Sequence, residues 1–406
     1  MPKILRIANR FNLGGPTYNV AYLTKYISPE FETLLVGGEK DDTEEGSEHI
    51  LEDLGIKPLI IPEMKREIDV KEDRAAYLKL KSIIKEFKPD IVHTHASKAG
   101  TLGRLAAFSM NVPVVVHTFH GHVFHSYFGK MKTEFYKNVE RYLALRSSKI
   151  IAISEKQKEE LSQIHKICLA KKIEVIPLGF DLNKFNENKE ENRKKFRTKY
   201  KIADDEIVIS IVGRIVPVKN HDLFLKAIKN VKDKTLKKIR AFVVGDGEDR
   251  QKTENFAISL GLDIADWPQK EKIAAVTFTS WIKNVELVTA GSDIIAMTSL
   301  NEGTPVSLIE AQAAGKPIVT TNVGGIENIT IPEVTALLSE RNDISKLTEN
   351  LLKLIEDDAL RLNMSAKGWG FVKEKYHYTR LTKDMENLYF TLLAKENSKR
   401  TMFTKK

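Results

Sequence analysis

The sequence predicts an α/β protein made of two doubly wound parallel-sheet domains, and three observations carry the prediction. Short apolar runs alternate with helical patterns along nearly the whole chain, the sign of a parallel sheet wrapped by helices. The alternation breaks once, in a polar, charged stretch from about residue 177 to 205, and then starts again. At 406 residues the chain is too long for one ordinary core, so two domains of about 180 to 200 residues are expected.

Residues 4–8 form the first apolar strand. Asn12-Leu13-Gly14-Gly15-Pro16-Thr17 then leads into a helix with Val20, Leu23 and Ile27 on one face, a βα turn with paired glycines. The G-x-G-x-x-G spacing of a dinucleotide site is absent, which removes support for nicotinamide or flavin binding. Further strands are expected at 33–36, 58–61, 90–93, 112–117, 149–153 and 174–176. After the break, strands at 207–212, 241–244, 275–278, 293–298 and 317–320 mark a second Rossmann-like domain. Helical patterns from about 344 to 390 close the chain. The expected division is 1–185, 186–375, a helix at 376–396 packing back toward the first domain, and a basic tail at 397–406.

Composition narrows the class. Apolar content of 42% and charge of 29% are those of a soluble globular protein. No run approaches the ~18 apolar residues of a membrane span, and no signal-type stretch follows Met1, so a cytoplasmic protein is expected. The single Cys168 leaves no partner for a disulfide within the chain and makes a thiolate metal site implausible. A net charge of +9 favours anionic partners: nucleotide, nucleic acid or acidic lipid headgroup.

The most informative stretch is 292–328. Its strand ends in the polar turn Ser299-Leu300-Asn301-Glu302-Gly303-Thr304-Pro305, and a helix is expected from Val306 to Ala314, with Pro305 where helices start and Gly315 where they stop. A loop entering a helix at the carboxyl end of a buried parallel strand is where such sheets bind anions. Glu302 and Glu310, eight residues apart, can face one crevice, and fixed carboxylates beside a phosphate suit sugar hydroxyls. Taken alone, a pair at this spacing fits an ordinary solvated helix with surface glutamates better. In Gly213-Arg214-Ile215-Val216-Pro217-Val218-Lys219, Arg214 and Lys219 flank a strand-end turn and can converge on a diphosphate. Six of the ten histidines lie between His93 and His125, but the spacing of His117, His120, His122 and His125 matches no helical metal-ligand pair. His120 follows a buried strand, at a sheet edge, with Gly121 beside it.

Together, Gly14-Gly15, His120, Gly213-Arg214 with Lys219, and Glu302 with Glu310 followed by Gly324-Gly325 resemble the retaining GT-B glycosyltransferases of family 4 over about residues 4 to 390. His93-Thr94-His95-Ala96-Ser97-Lys98-Ala99-Gly100 and Val175-Ile176-Pro177-Leu178-Gly179-Phe180-Asp181 are similar to the branch acting on bacterial surface polysaccharides. The resemblance implies two Rossmann-like domains facing a central cleft, the first on the acceptor side and the second binding the nucleotide sugar. It implies transfer of a hexosyl or N-acetylhexosaminyl group from a UDP-linked donor to a glycan or polyprenyl-linked acceptor. Arg214 and Lys219 would hold the donor diphosphate, Glu310 the ribose hydroxyls and Glu302 the sugar hydroxyls. Gly303, Thr304, Pro305 and Val306 would offer backbone N–H groups, Gly14, Gly15 and Gly213 would allow close approach, and His120 would bond the donor sugar. No metal or other cofactor is implied, the nucleotide sugar being a co-substrate. Thr279-Ser280-Trp281 departs from the family pattern, which has a glycine there that shapes the base pocket.

Retention by double displacement needs a carboxylate under the anomeric carbon. None of the motif positions near His120 is one, so front-face transfer is expected. Two other classes are compatible with parts of the sequence: a sugar-nucleotide epimerase of the same architecture, and a basic nucleic-acid-binding protein, which leaves the ordered strand-end glycines unexplained. Nucleic acid is therefore not an expected partner. From 124 to 149, aromatics interleave with six cationic and two acidic residues, a net +4. With Tyr127, Phe128, Lys130 and Lys132 at the contact, this stretch is expected to rest on the anionic inner face of the membrane. A core-facing stripe of Phe135, Val139, Tyr142 and Leu143 is the competing reading.

Overall fold

The computed structural model describes residues 1–11, 15–39, 48–65, 69–121, 130–267, 269 and 271–404. They fall into two compact units, Met1–Phe180 with Tyr376–Lys406, and Asp181–Lys375.

The first unit holds strands β1 (Lys3–Arg10), β2 (Glu32–Gly38), β3 (Leu59–Ile60), β4 (Ile91–His95), β5 (Val114–Phe119), β6 (Lys149–Ala152) and β7 (Ile173–Val175). They form one sheet in the order β3-β2-β1-β4-β5-β6-β7, with every pairing parallel. β4 and β5 are buried at every position. β4 runs two residues beyond the predicted end, through Thr94 and His95, because its polar side chains find partners inside the sheet. The order in which strands are added reverses between β1 and β4, so the loops leaving the central strands frame the place where open sheets of this kind take ligands.

The helix Tyr378–Thr404 belongs to this unit. Leu381, Met385, Tyr389 and Leu392 recur at helical spacing and pack with Ile4, Leu23, Ile91 and Val116, so its apolar stripe closes one face of the sheet. Its start is tied down by backbone bonds between Phe180 and residues 376 and 378, and by Arg380, which donates to the carbonyls of Pro177 and Leu178 at 2.6 and 2.8 Å.

The second unit repeats the plan with β8 (Ile207–Val212), β9 (Ile239–Val244), β10 (Ile264–Asp266), β11 (Val276–Phe278), β12 (Ile294–Met297), β13 (Ile318–Thr321) and β14 (Ala336–Ser339). The order is β10-β11-β9-β8-β12-β13-β14, again all parallel, and the order of strand addition reverses between β8 and β12. β10 and β14 were not expected from the sequence. They are the two edge strands of the sheet, three and four residues long. The chain enters this unit after Phe180, five residues before the expected boundary. The short helix Asn183–Asn186 accounts for the difference, since it packs against the helices Val285–Gly291 and Val306–Ala313 of the second unit.

Candidate functional site

In the second unit, two loops meet at the β8/β12 reversal. The first leaves β8 through Gly213, Arg214 and Ile215 and is backed by the loop after β9. Ile215 N–H bonds the Asp246 carbonyl at 2.8 Å, and a Cβ on Gly245 would stand 2.1 Å from the Gly213 carbonyl oxygen, so only glycine permits this approach. Arg214 is exposed and, among the described residues, pairs with Glu248 alone, at 3.4 Å. After a turn at Pro217–Lys219 the chain takes a left-handed residue, Asn220, and starts the helix His221–Lys234.

The second loop leaves β12 and carries Glu302. Thr298 Oγ1 donates to the carbonyls of Lys219 and Asn220 at 3.1 and 2.9 Å, and Leu300 N–H to Val218 at 2.7 Å, which stitches the loops together. Lys219 therefore lies over Gly213 and its Nζ meets Glu302 Oε1 at 2.5 Å. Ser299 Oγ donates to the same oxygen at 2.6 Å. Behind them, Gly324 has a φ of 59°, and a Cβ there would stand 1.8 Å from the Glu302 carbonyl oxygen. The Gly324-Gly325 pair thus sets the height of the Glu302 loop. Gly213, Lys219, Glu302 and Gly303 are brought together, with Arg214 on the same loop. Ser299, which no motif flagged, is the residue that fixes the carboxylate.

Gly303 and Thr304 lead into the helix Val306–Ala313, which has no side-chain cap on its N-terminus. The N–H groups of Val306 and Ser307 lack helical acceptors by geometry and carry partial positive charge, whereas Leu308 N–H bonds the Pro305 carbonyl at 3.2 Å. Pro305 has no N–H, so the expectation that the whole run 303–306 donates is corrected at that position. Pro305 is buried and sets the start of the helix.

Glu310 sits apart from the Lys219–Glu302 pair. No hydrogen bond or ion pair reaches its carboxyl among the described residues. Burial pushes its pKa up to about 7, with Lys184 acting against the rise and Glu286 adding to it. A carboxylate that accepts ribose hydroxyls titrates lower than a bare one. Were Glu310 to hold a nucleotide's ribose hydroxyls, binding would expel a proton wherever the free group is protonated, and affinity for that nucleotide would rise with pH through about 7. Calorimetric titration in buffers of different ionisation enthalpy reads the proton count. Glu310→Gln should lower it relative to wild type, and an equal count in both proteins would remove Glu310 from the nucleotide site.

In the first unit, β5 is buried as far as Phe119 and His120 follows, half-buried; among the described residues nothing lies within 4 Å of a Cβ built on Gly121. Burial holds the His120 pKa down to about 4, so the ring is neutral at pH 7. His120 Nε2 lies 3.0 Å from His95 Nδ1. His93, His95 and His117 are core residues: His93 bonds Tyr389 and Thr118, and His117 bonds Thr94. Among the described residues no group of three or more His, Cys, Asp or Glu is placed to hold a metal ion. Gly15 opens the helix Gly15–Tyr26, whereas Gly14, His122 and His125 lie outside the described residues.

The departure at 279–281 has a physical account. Ser280 adopts a φ of 57°, a left-handed conformation that costs a side-chain-bearing residue roughly 1–2 kcal/mol. Its Oγ donates to Asp246 Oδ2 at 2.6 Å, an interaction that a glycine cannot make.

Comparison with known proteins adds to this geometry. Residues 192–369 match the family described as Glycosyl transferases group 1, and residues 14–184 match Glycosyltransferase Family 4. The UDP-Gal:alpha-D-GlcNAc-diphosphoundecaprenol alpha-1,3-galactosyltransferase of Escherichia coli is 30% identical over 352 residues, 84% of this chain and 86% of that protein. The capsular polysaccharide biosynthesis glycosyltransferase CapM of Staphylococcus aureus is 27% identical, with coverage of 84% and 86%. Among solved structures, Anabaena HepE in complex with UDP shares the fold at a TM-score of 0.78 and 19% identity, covering 96% of this chain and all of that one.

Proposed function

The chain belongs to the group 1, family 4 glycosyltransferases, and from that premise we propose that it moves a hexosyl or N-acetylhexosaminyl group from a UDP-sugar to a polyprenyl-diphosphate-linked glycan in bacterial surface-polysaccharide assembly. The observation that carries this reading is the Lys219–Glu302 pair at the β8/β12 reversal, beside an uncapped helix N-terminus. A cation and helix N–H groups suit a leaving diphosphate, and the adjacent carboxylate suits sugar hydroxyls. The two bacterial relatives supply the finer terms, one using UDP-galactose and a lipid-linked acceptor, the other acting in capsule synthesis.

In this proposal Arg214 and Lys219 bind the diphosphate and neutralise the charge that grows on it. Glu302 orients the sugar, the Gly303–Thr304 backbone and Val306 N–H add donors, and Glu310 takes the ribose. His120 bonds the sugar from the first unit. The anomeric carbon–oxygen bond to phosphate breaks as the acceptor oxygen bonds to the same face. The acceptor proton passes to the departing phosphate oxygen, which retains configuration. The chain's own cations and helix terminus carry the charge in this scheme, without a metal or other cofactor.

A thermal-shift series with UDP, GDP, ADP and their sugars tests the donor assignment, since a ligand of the folded state raises the melting temperature. UDP ligands should give the largest rise. A larger response to GDP or ADP would overturn the base, and no response to any would overturn the donor class.

The acceptor reading extends to the membrane face. On the helix Lys130–Arg146, Met131 is 90% exposed, Phe135 63%, Tyr142 49% and Leu145 74%, while Leu143 is buried. The expected core stripe therefore holds only for Leu143 and, in part, Val139, and Phe135 and Tyr142 face solvent. Glu140 turns inward to Arg104 at 2.6 Å, which leaves the outer face more basic than the sequence count implies. An apolar stripe flanked by Lys132, Arg141 and Arg146 fits an anionic lipid interface. The side chains of Tyr127, Phe128 and Lys130 lie outside the described residues. No helix among the described residues is long and apolar enough to cross a membrane. Binding to anionic vesicles at low salt should weaken at high salt and fall sharply in Phe135→Ser with Leu145→Ser. Unchanged sedimentation of that variant would rule the stripe out as the contact.

A further inference from the structure

A groove of about 1250 Å³ opens in the first unit at the amino ends of β6 and β7. Its walls are the end of the helix Lys130–Arg146, the segment 166–172 that enters β7, and the helix Tyr378–Thr404. Six cationic side chains line it, Arg141, Lys149, Lys166, Lys171, Lys172 and Lys395, against the two carboxylates of Glu174 and Asp384. Both carboxylates are already matched: Glu174 pairs with Lys149 at 3.0 Å, and Asp384 with Arg380 at 3.1 Å. Arg141 donates to the carbonyls of His165 and Lys166, at 2.9 and 3.0 Å. Lys166, Lys171, Lys172 and Lys395 are left with no carboxylate partner among the described residues.

Lys172 is half-buried, and its ammonium donates at 2.7 Å to the carbonyl of Leu145, in the last turn of its helix, where carbonyls have no helical N–H. Burial lowers the Lys172 pKa, with Cys168 acting against the fall and the charge of Lys395 adding to it. Burial also pushes the Cys168 thiol up to about 11, so at pH 7 it is uncharged and supplies no counter-charge. Two ammonium groups that disfavour each other's charge in a concave, partly dry site are relieved by an anion bound between them. Lysines solvated on an open surface carry no such conflict.

The place in the fold narrows the anion. Lys149 pairs with Val116, four residues before His120, and Lys171 and Lys172 precede Ile173, which pairs with Ile150. At a rise of about 3.3 Å per residue, these cations stand on the order of 13 Å or more along the strands from His120, away from the proposed sugar contact. The groove is instead continuous with the apolar stripe. Leu145, the last member of that stripe, also lines the groove, as does Leu169, and the two are 74% and 68% exposed. Exposed leucines beside cations without counter-charges match a phosphate that carries acyl chains rather than a free one.

We infer that this groove holds the headgroup of an acidic glycerophospholipid of the phosphatidylglycerol type, with Lys171, Lys172 and Lys395 on the phosphate and Leu145 and Leu169 against the acyl chains. The inference rests on the membrane reading above and deepens it: the stripe enters the lipid, and the groove makes attachment selective for acidic lipid.

Sedimentation of the full chain with phosphatidylcholine vesicles, with and without phosphatidylglycerol, tests this at one salt concentration. Lys171→Glu with Lys395→Glu should weaken binding to the acidic vesicles roughly tenfold or more and leave binding to the neutral ones unchanged. Lys71→Glu with Lys85→Glu, at exposed positions of the helix Val70–Phe87, changes the net charge equally and should have little effect. Melting curves with dihexanoyl-phosphatidylglycerol and with inorganic phosphate read the groove without a membrane. The short-chain lipid should raise the melting temperature of the wild type but not of the Lys171→Glu, Lys395→Glu protein. An equal rise from inorganic phosphate would mean a site for a free anion only and would overturn the lipid assignment. No binding of the wild type to either vesicle would strike the membrane reading and the groove with it. Binding to acidic vesicles that both pairs of substitutions weaken equally would strike the groove alone, so the two failures are separable.

Discussion

Lys219→Ala is expected to lower kcat for transfer by about 10²- to 10³-fold, the ~2.7 to 4 kcal/mol that loss of one preorganised donor to developing charge commonly costs. The ammonium lies over Gly213 against Glu302, held where the diphosphate is proposed to leave. Removing it takes away a cation that gains strength as the leaving oxygen gains charge. It also frees Glu302, which retains only Ser299. Donor-sugar orientation should therefore suffer together with leaving-group stabilisation, and kcat should fall more than UDP affinity. The fold should survive, because the Thr298 and Leu300 bonds that join the two loops use the backbone of residues 218–220. Arg214→Ala should cost less, since that side chain is more than half exposed and loosely paired. Steady-state rates near wild type for Lys219→Ala, with an unchanged melting curve, would rule out this placement of the diphosphate.

His120→Ala should abolish transfer to a similar degree while leaving UDP binding intact, because the nucleotide contacts are proposed on the second unit and His120 stands on the first. A histidine serving only the core would behave otherwise. His93 is such a residue, fully buried and bonded on both nitrogens, and His93→Ala should lower the melting temperature through the unpaired Tyr389 and Thr118 it leaves behind. Calorimetry with UDP, melting curves and transfer rates for the two variants separate the roles. A His120→Ala protein that melts early and loses UDP binding along with transfer would place His120 with His93, in the core.

The strand and loop plan was legible because buried parallel strands read as apolar runs and their ends as glycine turns. Ile207 to Val212 and Ile294 to Met297 are clear cases. What escaped lies where that signal fails. β10 and β14 are edge strands, and β4 hides His93 and His95 in an interior strand, where imidazoles survive only through partners from distant segments, such as Tyr389. Lys219 and Glu302 were each picked from local spacing, yet their contact spans 83 residues and depends on the stitching by Thr298 and Leu300. Ser299 was not singled out because nothing in sequence marks a side chain that acts by holding another. The exposure of Phe135 and Tyr142 was equally hidden, since a helix stripe can face a core or a membrane with the same periodicity.

The central claim is tested most directly by incubating the purified enzyme with a panel of UDP-sugars and GlcNAc-diphosphoundecaprenol in detergent, and reading lipid product by mass spectrometry and the new linkage by NMR. The account predicts UDP release matched to a disaccharide lipid, dependent on acceptor, with the donor's anomeric configuration preserved. An inverted linkage would contradict front-face transfer. A free epimerised UDP-sugar formed without acceptor, or no turnover of any UDP-sugar with this or other lipid-linked glycans, would contradict the proposed reaction.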